Sequence, residues 1–180
     1  MRRVLLVYAV TCGLLWTVPV FNLLHAESSA VVAGVAFFTA GLSSLRLFGR
    51  KYSFREVLLG QESALLLPWF LLTITLLWVP NCGYGQGILF YLLFPCVSVV
   101  LAVSLAFAVS GFRLRHKKTV FFLIGVGVAV FTTLYDLGLH PQFFVYNHVY
   151  GGVLGPIYDE ELVIRPGLLA FRGLTLLWAV

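Results

Sequence analysis

Residues 64–80 read ALLLPWFLLTITLLWVP, a run without one charged side chain, and runs of this kind recur along most of the chain. At 1.5 Å per residue a helix of about 17–20 apolar residues crosses the hydrocarbon of a bilayer while satisfying its own backbone hydrogen bonds. Five complete runs are present, at 4–24, 30–48, 64–80, 88–109 and 120–139, and a shorter sixth lies at 167–180. The chain is 61% hydrophobic and only 11% charged, with a mean hydropathy of +0.99, whereas charged residues make up about a quarter of a soluble domain. The pattern excludes an ordinary soluble domain. It predicts an all-α fold, a polytopic transmembrane helical bundle forming one integral membrane domain over residues 1–180. The sixth run is too short to span and ends on LTLLWAV without a polar flank, so we expect it to be truncated and the chain to continue past Val180.

The net charge of +5 would suggest nucleic acid or acidic partners if the basic residues formed one patch. Instead they fall on alternate loops. Arg2 and Arg3 precede the first run, Arg46, Arg50, Lys51 and Arg55 lie between the second and third, and Arg113, Arg115, Lys117 and Lys118 lie between the fourth and fifth. Ten of the twelve thus share one side, while AESS at 26–29 and NCGYGQG at 81–87 carry none. The positive-inside bias then places the N-terminus in the cytoplasm and residues 140–166 outside. MRR followed by an apolar run also suits a signal peptide, but the run is longer than an h-region of about 7–15 residues and Leu24 is not small, so an uncleaved anchor fits better. Compact loops and the lack of an N-x-[ST] acceptor point to a bacterial inner membrane. The bilayer is the expected partner, with other membrane subunits or a downstream domain as further candidates and no nucleic acid.

Local signals refine this picture. S-F-R-E at Ser53 to Glu56 has capping-box spacing, so the third helix is expected to begin there and to run along or below the membrane surface before its apolar span. Pro19, Pro68 and Pro95 fall within runs and each removes a backbone donor, which can kink a helix. Gly34, Gly41, Gly125 and Gly127 suit close helix contact. Cys12, Cys82 and Cys96 are odd in number and lack C-x-x-C spacing, so they imply neither a zinc finger nor a disulfide framework. GVG at 125–127 and GGVLG at 151–155 lack the G-K-[ST] ending of a phosphate cradle, and G-x-S-x-G does not occur. No motif calls for a cofactor.

The residues able to carry chemistry gather late in the chain. Asp136 and His140, four apart, share one face at the end of the fifth helix. They suit either a carboxylate that orients an imidazole or a water-facing helix end. The outward loop adds His148 and the run Asp159, Glu160, Glu161. Histidines with carboxylates suffice chemically for a divalent metal such as zinc, with His140, His148 and Asp159 as candidate ligands and a nearby carboxylate as base. However, H-E-x-x-H does not occur and the spacing defines no ligand pattern. Phe143, Phe144, Tyr146, Tyr150 and Tyr158 suit the headgroup level, so the loop is expected to form a compact outer cap, with Pro166 starting the sixth helix.

Three functional classes fit. The chain is the membrane-anchoring or sensing module of a longer protein; or it is a membrane enzyme, hydrolase or peptidase-like, working through Asp136, His140, His148, Asp159, Glu160 and Glu161; or it is a small transporter or channel subunit. The last would place polar residues along several spans, and these spans are nearly bare.

Overall fold

A computed structural model describes residues 1–139, 144–154 and 164–179, and they form a helical bundle with one β-hairpin. The helices are α1 (Arg2–Trp16), α2 (Ala26–Phe48), α3 (Phe54–Ala64), α4 (Leu66–Thr73), α5 (Tyr84–Tyr91), α6 (Val97–Gly111), α7 (Lys117–Leu139) and α8 (Pro166–Ala179). A 3₁₀ turn, Ile74–Leu77, extends α4, and a π-helical turn, Leu92–Cys96, joins α5 to α6. Strands β1 (Phe144–Asn147) and β2 (Gly151–Leu154) pair antiparallel, with Asn147 opposite Gly151.

Among the described residues four stretches are long and apolar enough to cross a membrane: Ala26–Phe48, Phe54–Leu77, Tyr84–Gly111 and Lys117–Gly138. The expected first span, 4–24, does not form as one helix. Its helix is 15 residues long and stops at Trp16, a reach of about 22 Å. Beyond it the chain passes through turns that hold Pro19 and put Val20 at φ 75°. The third helix starts at the Ser53 box, where the Glu56 N–H donates to Ser53 Oγ and the Ser53 N–H donates back to Glu56 Oε2. From Phe54 the helical path continues to Leu77 with only Leu65 between α3 and α4, so Phe54–Ala64 is continuous with the third apolar stretch. Pro95 sits inside the π turn.

The centre of the bundle is α2 packed on α6. Small residues make that contact close: Ser29, Ala33, Ala36, Ala40 and Ser44 are buried along α2, and Ser98, Ala102 and Ala106, four apart, along α6. Side chains this small let helix backbones approach, so dispersion contacts accumulate where apolar surroundings offer no hydrophobic drive to associate. Ala36 and Ala40 join Val99 and Val103 in one buried cluster. A Cβ on Gly41 would strike the Phe121 ring, and one on Gly125 would meet Phe37. Gly127 faces open space, so only part of the expected glycine contact is formed.

The surface reverses the usual soluble pattern. Leu66, Leu77, Leu123, Phe131, Leu134 and Leu177 are exposed, while Arg172, Gln61, Asn147, His148 and Thr175 are buried. Exposed apolar area on this scale is unsuited to water. It fits a membrane-embedded protein.

Candidate functional site

The polar interior is concentrated around the hairpin, and α7 supplies its first wall. Ala129, Thr132, Thr133 and Asp136 fall within two turns and share one face. Asn147 Nδ2 lies 2.8 Å from the Ala129 carbonyl, 2.7 Å from Thr132 Oγ1 and 3.1 Å from Thr133 Oγ1. Its Oδ1 accepts from the Val149 N–H at 2.8 Å and so fixes the turn from within. Tyr150 Oη pairs with Thr133 Oγ1 at 2.8 Å. Asp136 Oδ2 accepts from the Tyr146 N–H at 3.0 Å.

These bonds carry the hairpin into the bundle. Val149 joins Phe37, Ala102 and Phe121 in a buried cluster, and Tyr146 packs against the cluster of Ala33, Phe90 and Phe94. Gly151, at φ +94°, leaves no room for a side chain because a Cβ there would run into the Phe94 ring. Of the rings expected in an outer cap, Tyr146 and Tyr150 pack half-buried against the helices, while Phe143, the Phe144 side chain and Tyr158 lie outside the described residues. Irregular backbone is tolerated among apolar helices only where its polar groups find partners in the protein, and here they do.

The second wall is α8, which begins at Pro166 as expected. His148 stacks on Phe171 at 4.2 Å and lies 4.5 Å from Trp178, while its Nδ1 is 2.8 Å from Thr175 Oγ1. The Thr175 hydroxyl donates to the Phe171 carbonyl at 3.0 Å, so the hydrogen between Thr175 and His148 belongs to the imidazole Nδ1. Burial, and then the neighbouring Arg172 charge, push this imidazole down to about 4. It is neutral at neutral pH.

Arg172 holds the assembly together. It is 1% exposed, and each of its five N–H groups has an acceptor. Nε donates to the Leu93 carbonyl at 2.7 Å, Nη1 to the Asn147 and His148 carbonyls at 3.2 and 3.1 Å, and Nη2 to the Phe94 carbonyl and Ser98 Oγ, both at 2.9 Å. Leu93 and Phe94 belong to the π turn around Pro95. The loss of regular i→i−4 pairing at such a turn offers carbonyls to an outside donor. One guanidinium thus ties α8, the π turn and the hairpin.

Of the residues expected to carry chemistry, Asp136 and His148 are described, and His140, Asp159, Glu160 and Glu161 lie outside the described residues. Asp136 and His148 flank the same hairpin strand end, but among the described residues they share no hydrogen bond. Among the described residues no group of three His, Cys, Asp or Glu side chains is placed to hold a metal. Arg172 is the interior residue that the sequence signals least directly, because a charge near the start of a short apolar run resembles a span end. The signal was there: a charge six residues into an apolar helix, with a proline in another span that would release carbonyls to meet it. Glu62 lies within Phe54–Leu77, and among the described residues its Oε1 is buried without a hydrogen-bond partner.

The chain matches no model of a known family, no curated protein and no solved structure.

Proposed function

We propose that this chain is the membrane-anchoring or sensing module of a longer protein, a multi-pass helical unit with a cytoplasmic N-terminus in a bacterial inner membrane. The carrying observation is the use to which the buried polar residues at the hairpin are put. Arg172, Asn147 and His148 direct their donors to the fold's own carbonyls and hydroxyls, and Asp136 accepts from a backbone N–H. A catalytic acid needs a proton directed at a substrate, and these donors are spent within the fold. Groups satisfied in this way instead fix helices relative to one another, which suits a unit that holds or positions a domain outside residues 1–180. The alternating basic loops support the orientation.

Two measurements test the reading. In intact cells a membrane-impermeant maleimide should label the exposed Cys82, whereas a Lys51→Cys variant lacking Cys82 should react only after the membrane is opened. Reaction of Lys51→Cys from outside would overturn the orientation. The mass of the native product should exceed that of residues 1–180; a product of 20.0 kDa would remove the anchored domain and with it the anchoring role.

A further inference from the structure

We propose that the groove between α1 and the C-terminal half of α2 binds an anionic phospholipid. The groove has a volume of about 620 Å³, and Arg2, Arg3, Arg46 and Arg50 line it with no carboxylate among the lining residues. All four arginines are exposed, and none has an acidic partner among the described residues. Four guanidinium groups around one cavity repel one another until an anion joins them, and their planar forks match phosphate oxygens.

The local backbone adds to this charge. The first turn of α1 contains two arginines and no acidic residue, and no side chain caps it. A helix N-terminus carries partial positive charge and free N–H groups, so Arg2 and Arg3 occupy the end where cations are least favourable. An anion held there removes both conflicts.

The walls distinguish a lipid from a free phosphate. Thr39, Ser43 and Arg46 follow one face of α2, and Val4 and Val7 face them from α1, with Leu42 alongside. The arginines thus gather at one end of the groove, and elsewhere in its lining Val4, Val7, Thr39, Leu42, Ser43 and Leu47 mix aliphatic side chains with two hydroxyls and carry no charge. A diacyl phospholipid likewise joins a charged phosphate to an uncharged, largely hydrocarbon remainder, whereas a free phosphate would leave the aliphatic part of the groove unused. Basic pockets between membrane helices on the cytoplasmic side recognise phospholipid headgroups in this manner. The proposal rests on the membrane placement given above but not on the anchoring role, and binding is read independently of topology.

The test uses the full chain purified in a neutral detergent. Dioleoylphosphatidylglycerol, dioleoylphosphatidylcholine and inorganic phosphate are added in turn, and bound lipid is counted by native mass spectrometry alongside the thermal midpoint. Phosphatidylglycerol should bind with one-to-one stoichiometry and raise the midpoint, and phosphatidylcholine should bind at least tenfold more weakly. Arg46→Gln/Arg50→Gln and, separately, Arg2→Gln/Arg3→Gln should each weaken phosphatidylglycerol at least tenfold. Arg113→Gln/Arg115→Gln removes equal charge from another loop and should leave binding intact. Equal binding of the two lipids, equal loss in the Arg113/Arg115 variant, or full competition by inorganic phosphate would each overturn the proposal. Among the described residues the four arginines make no ion pair within the fold, and two independent double variants guard against misfolding in one.

Discussion

Arg172 is the residue on which the interior turns. A buried cation is costly unless its hydrogen-bonding capacity is filled. Here five acceptors surround it, four of them backbone carbonyls. The planar fork matters as much as the charge. Lysine offers three donors from a single atom and cannot reach acceptors spread over the π turn, the hairpin and Ser98. Arg172→Lys therefore keeps the desolvated charge and loses at least two bonds, whereas Arg172→Met removes the charge and leaves the acceptors unpaired. Each unpaired buried group costs on the order of 1–3 kcal/mol, with incomplete additivity. We expect both variants to unfold at lower denaturant, by about 2–4 kcal/mol, with Lys no more stable than Met. Denaturation followed by tryptophan fluorescence in detergent checks this, and a near-native Lys variant would show that charge alone suffices.

Between elements, the hairpin and α8 meet through His148, and this contact carries a pH dependence. The imidazole is pushed down to about 4 in the fold, below its value of about 6.5 in an unfolded chain. Between those values the unfolded chain binds the extra proton and the folded one does not, so stability falls as pH drops from about 6.5 toward 4 and is level above. The slope approaches about 1.4 kcal/mol per pH unit where the two states differ by a full proton. His148→Phe retains a ring between Phe171 and Trp178 and should flatten this limb when thermal midpoints are compared at pH 7.5 and 5. An unchanged slope would assign the acid sensitivity to another group. The elements themselves were largely legible in sequence. Uninterrupted apolar runs located the helices from α2 to α7, and the Ser53–Glu56 spacing located the start of α3, because both are local signals. The hairpin was not. Its strands are four residues each, too short for a clear alternation, and its burial depends on Asn147 reaching α7 and on carbonyls of the π turn reaching Arg172, contacts made across long sequence separations. The same reason hid one partner of Asp136: the backbone N–H of Tyr146 is brought in only by the chain reversal, while His140, which helical spacing suggests, lies outside the described residues.

For the whole molecule, two zones differ in what holds them. The α2–α6 pair rests on small residues and close backbone packing, and its buried faces are extensive. The α7 helix is largely exposed: Phe122, Leu123, Phe131, Leu134 and Leu137 face outward. Apart from contacts with α2 and α6 near Phe121, it is held by the hairpin through Asn147, Tyr150 and Asp136. Regions with fewer buried contacts open first, as cooperative units below the global unfolding energy. Asn147→Ala deletes the side-chain donor that serves α7 and the acceptor that closes the turn, at a cost of about 1–3 kcal/mol. Hydrogen–deuterium exchange should then rise about fivefold or more in the second half of α7 and in residues 145–149, since about 1.4 kcal/mol corresponds to tenfold in an opening equilibrium. Exchange in α2 and α6 should remain unchanged. A uniform rise across all helices would mean that the hairpin belongs to one global unit with the α2–α6 core, whereas a confined rise identifies α7 and the hairpin as the part of the bundle free to move while the core stays folded.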